Sequence, residues 1–140
     1  MSLYIGVDFH PHQQTVCWCD PQTGELKIQT LHHNTAEVRQ FYQQMPAAIV
    51  GMEATAPALW FEQLLFDNQH QLRVGNAKLI RARATSRHKS DARDAELLYD
   101  LLRRDEFPTL WRRPTESTQC LEMLRLRHTF TVFLNSSSGL

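Results

Sequence analysis

Two short segments of the chain repeat one pattern. Ile5-Gly6-Val7-Asp8 and Val50-Gly51-Met52-Glu53 each run apolar residue, glycine, apolar residue, acid. Runs this short and this apolar suit buried strands better than helices. Side chains alternate along a strand, so each acid shares a face with the glycine two residues before it. The absent Cβ is expected to leave open space beside the carboxylate, where a ligand or metal fits. If the two strands are parallel neighbours, both acids emerge at carboxyl ends, where open α/β sheets bind ligands. One acid at one strand end only marks where solvent begins. Its repetition argues for a site.

The remaining elements are placed by period and punctuation. Leu3 to Phe9, Thr15 to Cys19 and Leu26 to Leu31 read as three strands of an antiparallel meander, the last following the turn formers Asp20-Pro21-Gln22-Thr23-Gly24. Helical spacing then takes over at Val38, Phe41, Tyr42 and Met45, after a cap at Asn34-Thr35 and before Pro46. Ala48 to Met52 is a fourth strand. Thr55-Ala56-Pro57 opens a helix whose expected buried stripe is Leu59, Trp60, Leu64 and Leu65, and Leu72 to Val74 is a short fifth strand. A helix is expected over Ala77 to Ala84 and a loop over Ser86 to Ser90. Ser90 then caps a helix to about Arg104 that buries Leu97, Leu98, Leu101 and Leu102. A last amphipathic segment covers roughly Thr115 to Leu134, with Leu121, Leu124 and His128 on one face. Three strands, helix, strand, helix, strand, helix is the order of an RNase H-like α/β fold, a mixed five-stranded sheet with helices on both faces.

The 140 residues leave room for one domain with a helical appendage. No apolar stretch is long enough to span a membrane and no signal peptide is legible, so cytoplasmic residence with no membrane partner is expected. Cys17, Cys19 and Cys120 are an odd set read as reduced thiols. Fifteen bases cancel fifteen acids overall, yet residues 1–70 hold two bases and seven acids while residues 71–140 hold thirteen and eight. The neutral total conceals a dipolar chain. From Arg73 to Arg93 seven positive residues accompany one acid. Of these, Lys78, Arg81, Arg83, Arg87, Lys89 and Arg93 are the candidate nucleic-acid-binding residues, placed to hold phosphates without reading bases.

That basic run leads into Lys89-Ser90-Asp91-Ala92-Arg93-Asp94. Asp91 and Asp94, three apart at a helix start, point along one face. The helix dipole accounts for Asp91, but its effect fades by Asp94. Asp8, Glu53, Asp91 and Asp94 together would put four carboxylates in one pocket, which repel unless a divalent cation neutralises them. Mg²⁺ or Mn²⁺ suits such oxygen ligands, and two ions about 3.5–4 Å apart would serve phosphodiester cleavage. These four acids are the candidate catalytic and metal-ligating residues.

The opening YIGVDFH, the central VGMEAT, the segment NAKLIRARA and KSDARDAELL together resemble the DEDD-type insertion-sequence transposases, relatives of the Piv and MooV site-specific recombinases. The likeness spans about residues 3–111. It implies a RuvC-like nuclease domain of the RNase H fold over residues 1–111, with Asp8, Glu53, Asp91 and Asp94 binding divalent metal for DNA strand cleavage in transposition. It also implies DNA and a structured guide RNA as partners, and homo-oligomers formed through a coiled-coil-like segment beginning within residues 112–140. Members of the family continue into a second domain bearing a serine nucleophile. The chain closes on Asn135-Ser136-Ser137-Ser138-Gly139-Leu140, with no room for that domain. The expectation is therefore a truncated or excised domain, incomplete for transposition alone, and no nucleophile role passes to Ser136, Ser137 or Ser138.

Other readings of the residues are weaker. His10, His12, Cys17 and Cys19 do not have usual zinc spacing, since residues two apart on a strand stand about 6.6 Å apart. His10 is read first as a surface turn histidine and second as a neighbour of the metal site. Trp18, Trp60 and Trp111 are read as core or interface residues rather than base-stacking platforms. A non-catalytic nucleic-acid-binding and dimerising remnant, or a stand-alone nuclease, are the alternatives. An actin-like or sugar-kinase-type ATPase ranks last, because Phe9-His10-Pro11-His12 has no glycine-bearing phosphate loop.

Overall fold

In the computed structural model, which describes residues 3–54, 58–84 and 90–113, the sheet is assembled around β1 (Leu3–Phe9). On one side β1 pairs antiparallel with β2 (Gln13–Cys19), which pairs antiparallel with β3 (Leu26–His32). On the other it pairs parallel with β4 (Ala48–Glu53), and β4 with the parallel β5 (Gln71–Gly75). The parallel steps need crossovers, supplied by α1 (Glu37–Gln44) between β3 and β4 and by α2 (Leu59–Asp67) between β4 and β5. α3 (Ala77–Ala82) and α4 (Asp91–Arg103) follow.

The sheet has six strands in the order β3-β2-β1-β4-β5-β6, which corrects the expected five. β6 (Thr109–Arg113) pairs antiparallel with β5, in a stretch that the sequence divides between the end of the domain and a linker. Its partner is remote in sequence and its flanks are Pro108 and Pro114, so local signals mark a break instead of a strand. The meander continued by parallel β4 and β5, with helices on both faces, is consistent with an RNase H-like fold.

Alternation along the strands sorts side chains into two layers. Ile5, Val7, Val16, Trp18, Val50, Met52, Leu72 and Val74 join Phe41 and Tyr42 of α1 and Phe61 and Leu65 of α2 in one buried core. The opposite face is covered by α3 and α4, with Ile80, Leu98 and Leu101 buried and Leu97 and Phe107 packed beside them. Trp18 is the core residue expected of it, edge-on to Phe41 at 5.0 Å.

α2 buries Leu65 of its expected stripe, with Leu64 packed beside the core, and corrects Leu59 and Trp60. Phe61 and Leu65, one turn apart, face inward, whereas Leu59 is 74% exposed and Trp60 47%. In a segment reading Leu-Trp-Phe-Glu-Gln-Leu-Leu-Phe, several apolar stripes fit the same period and contact with the sheet decides among them. α1 has no side-chain cap at Ala36, although Thr35 Oγ1 accepts from the Glu37 N–H at 3.2 Å. Asn76 caps α3, which ends at Ala82 rather than Ala84, and Ser90 caps α4 as expected by accepting from the Arg93 N–H at 3.2 Å.

The helix opening at Thr55-Ala56-Pro57, the basic residues Arg87 and Lys89, and the Thr115 to Leu134 segment lie outside the described residues. So do the Trp111 side chain, Cys120 and the terminal serines. Among the described residues no helix is long and apolar enough to cross a membrane.

Candidate metal centre

Asp8 and Glu53 occupy the carboxyl ends of the parallel pair β1 and β4. Gly6 aligns with Gly51, so the two acids, each two residues further on, stand level on neighbouring strands. By alternation both belong to the face covered by α4.

The glycines of the repeated pattern do something other than expected. A Cβ on Gly6 would lie 2.3 Å from both the Ala95 carbonyl oxygen and the Tyr99 amide nitrogen. The backbone of α4 fills the space that the sequence assigns to a ligand. A Cβ on Gly51 would meet Leu102 Cδ1 at 2.9 Å and a Phe107 ring carbon at 3.0 Å. Both glycines therefore admit the helix rather than an ion. The function is still served, because close approach at Gly6 brings the first turn of α4 to the end of β1. Asp91 arrives there beside Asp8.

His10, two residues past Asp8 and at the start of the turn into β2, joins them. Its Nε2 lies 2.9 Å from Asp8 Oδ2 and 3.2 Å from Asp91 Oδ1. One ligand atom from each of Asp8, His10 and Asp91 falls within 4.8 Å of the others. Sequence alone favours a turn histidine at this position. The signal that promotes it to the site is its spacing of two from Asp8, which gives both side chains the same side of the chain.

The Asp8 side chain is 14% exposed. Burial raises its carboxyl from the usual 3.8 to about 6; the His10 hydrogen bond and charge oppose the rise, and Asp91 and Asp94 reinforce it. His10 is held above its usual value, chiefly by the hydrogen bond to Asp8 and against partial burial. Asp94 thus acts electrostatically on Asp8, although it is outside the converging trio. Glu53 is turned to a different partner: its Oε1 lies 3.6 Å from Arg81 Nη2. Of the four acids expected to cluster, the structure brings Asp8 and Asp91 together, keeps Asp94 within electrostatic reach and pairs Glu53 with a base.

The donor set fits a divalent cation. Two carboxylates supply hard oxygens, the imidazole a nitrogen, and a carboxyl whose ionisation is opposed first by burial and then by Asp91 and Asp94 is a group that a cation would relieve. Cys17 is not part of it: the thiol is buried and pushed up to about 12, first by burial and then by the charges of Glu96 and Asp100. A thiol so far from its thiolate is a poor metal ligand.

The candidate phosphate-binding residues divide. Lys78, Arg81, Arg83 and Arg93 are exposed, on α3, just after it, and on α4. Arg81 pairs with Glu53 and Arg83 with Glu106. Arg73, part of the same basic run, lies within β5 and is half-buried, so it stands apart from that surface.

Compared with known families, residues 5–132 match the model of the IS110-type DEDD family, described as a transposase. No curated protein matches the chain.

Proposed function

The chain belongs to the IS110-type DEDD transposases, and from that premise we propose that its sheet is a RuvC-like nuclease domain cutting DNA in transposition. The observation that carries this reading is the convergence of Asp8, His10 and Asp91 at the carboxyl edge of the parallel strands. Asp8 and Asp91 would hold divalent metal, Mg²⁺ or Mn²⁺, with Asp94 and Glu53 completing the carboxylate set. Bound there, such a metal would polarise a phosphodiester and lower the pKa of a bound water.

The chain's own groups divide the work. Buried Asp8 is the fixed ligand, held on the central strand. Asp91 and Asp94 are delivered by α4, whose seating on Gly6 sets their distance from Asp8. Glu53, half-buried and 3.6 Å from the exposed Arg81 guanidinium, would be freed for the site if Arg81 exchanged it for a phosphate. Lys78, Arg81, Arg83 and Arg93, with Arg87 and Lys89, would hold the DNA backbone. The wider reading includes a cytoplasmic setting, a structured guide RNA, a residue 112–140 segment that joins copies of the chain, and a serine-bearing domain to complete transposition.

Thermal unfolding with Mg²⁺ or Mn²⁺ tests the proposal. Wild-type protein should be stabilised by the metal, and a variant carrying Asp8→Ala and Asp91→Ala should not. Equal responses would sink it, and salt-dependent DNA binding without any metal response would leave a non-catalytic binding domain in its place.

A further inference from the structure

The proposed function assigns the metal to carboxylates and leaves open what the His10 imidazole beside them does. We propose that His10 is itself a metal ligand through Nε2, and that the resulting nitrogen and oxygen donor set makes this centre favour first-row transition-metal divalents over Mg²⁺. The inference rests on the reading that Asp8 and Asp91 hold a divalent cation.

Three observations support it. The first is spacing. In an octahedral site with bonds of about 2.0–2.1 Å, adjacent ligand atoms stand about 3 Å apart. His10 Nε2 lies 2.9 Å from Asp8 Oδ2 and 3.2 Å from Asp91 Oδ1, so the imidazole nitrogen already has the separation of a neighbouring ligand from each carboxylate, and all three ligand atoms fall within 4.8 Å of one another.

The second is that the ring is carried by an anchored turn. The His10 N–H donates to the Gln13 carbonyl at 2.9 Å. Next to it, the Pro11 carbonyl accepts from His33 Nδ1 at 3.1 Å. On the other side the Phe9 ring packs on His33 and Phe61, with centroids 4.8 and 5.1 Å away. Residue 10 is therefore held from both sides, as a preorganised ligand should be.

The third is that the His10 ring is not committed to the core. It is 43% exposed, and its polar contacts run to the two carboxylates. Imidazole is a favoured ligand of first-row transition metals, whereas Mg²⁺ prefers oxygen and retains its waters. A site of two carboxylates without the histidine would have no such preference built in.

The test uses the full chain with Mn²⁺ and Mg²⁺ as the only added ligands. Calorimetric titration of wild type, His10→Ala, His10→Gln and the double variant Asp8→Asn with Asp91→Asn gives the affinities, and pulsed electron paramagnetic resonance of bound Mn²⁺ detects directly coordinated ¹⁴N. Wild type should bind Mn²⁺ about tenfold or more tighter than Mg²⁺ and show the ¹⁴N coupling; both His10 variants should lose the coupling and about tenfold in Mn²⁺ affinity, with Mg²⁺ little changed. Because the ring is exposed, neither variant threatens the fold. Absent ¹⁴N coupling, or His10 variants that bind Mn²⁺ as well as or better than wild type, would overturn the inference and leave the imidazole as an occupant that the metal displaces. If the double carboxylate variant binds Mn²⁺ like wild type, or wild type binds neither ion, the metal centre itself fails.

Discussion

Gly6 of β1 and Ala95 of α4 are in backbone contact: a single added carbon on Gly6 would stand 2.3 Å from the Ala95 carbonyl oxygen. Neither partner has a flexible group to move aside, so relief requires displacing the helix. Gly6→Ala is expected to destabilise the fold by about 3 kcal/mol, the upper end for overpacking. It should also weaken metal-dependent stabilisation, because the helix that moves carries Asp91 and Asp94. Gly51→Ala meets the side chains of Leu102 and Phe107, which can shift, and should cost about 1–2 kcal/mol. Urea midpoints for the two variants check the ranking, and an equal or reversed order would contradict it.

Asp8 makes the metal-free protein less stable as pH rises. Its carboxyl titrates at about 6 in the fold and near 3.8 when unfolded, so between those values the unfolded chain has given up a proton that the fold retains. Stability falls across that window by about 2–3 kcal/mol. His10 acts in the same direction at higher pH, since a raised imidazole contributes stability that is lost as pH rises through its folded value. Asp8→Asn should therefore be more stable than wild type at about pH 7.5 without metal, by roughly 1–2 kcal/mol, and the gap should close near about pH 4. Divalent metal should stabilise wild type alone. Denaturant titrations at the two pH values measure this.

His70 has the opposite sign. It is 3% exposed, accepts the Ala48 N–H on Nδ1 at 3.1 Å and donates from Nε2 to the Tyr42 carbonyl at 2.8 Å. Burial lowers its pKa below 6.5, against the raising effect of that Tyr42 hydrogen bond. Its contribution is present above 6.5 and is lost as pH falls through 6.5 toward the lower folded value. His70→Ala strands two buried backbone groups and should cost about 2–4 kcal/mol at neutral pH. The difference between wild type and His70→Asn should shrink on acidification to about pH 5.5, and a constant difference would show that His70 does not titrate in this range.

Replacing Lys78, Arg81 and Arg83 together by alanine should weaken DNA binding without unfolding the protein. The slope of log affinity against log salt should fall by about 0.9 for every phosphate that is no longer neutralised, and by up to about 3 in the triple variant. The pair removed with Arg83 is exposed and that removed with Arg81 is exposed on the arginine side, so the stability change should stay within about 1–2 kcal/mol. Fluorescence anisotropy across a salt series reads the slope, and an unchanged slope would remove this surface from the binding site.

Strands are the most legible part of the sequence because their signals are local. The runs around Val7, Cys17, Val50 and Leu72 mark β1, β2, β4 and β5 with ends close to those observed, and Ser90 announces α4. What lies across each element is less legible. Gly6 reads as vacant space, and only the tertiary placement of α4 shows that backbone occupies it. β6 escapes a local reading because its pairing with β5 spans more than thirty residues. In the candidate site, Asp8 and Asp91 are found by type and spacing. The pairing of Glu53 with Arg81 is not, since two elements separated in sequence must first be folded together.

The direction of β6 has a spatial consequence. It runs antiparallel to β5, with Thr109 beside Gly75 and Arg113 beside Leu72. The chain therefore crosses the sheet from the carboxylate end to the opposite end before leaving it, and its exit vector at Arg113 points away from Asp8 and Asp91. A cargo attached there would be carried on the rear of the domain, leaving the approach to the carboxylates unobstructed.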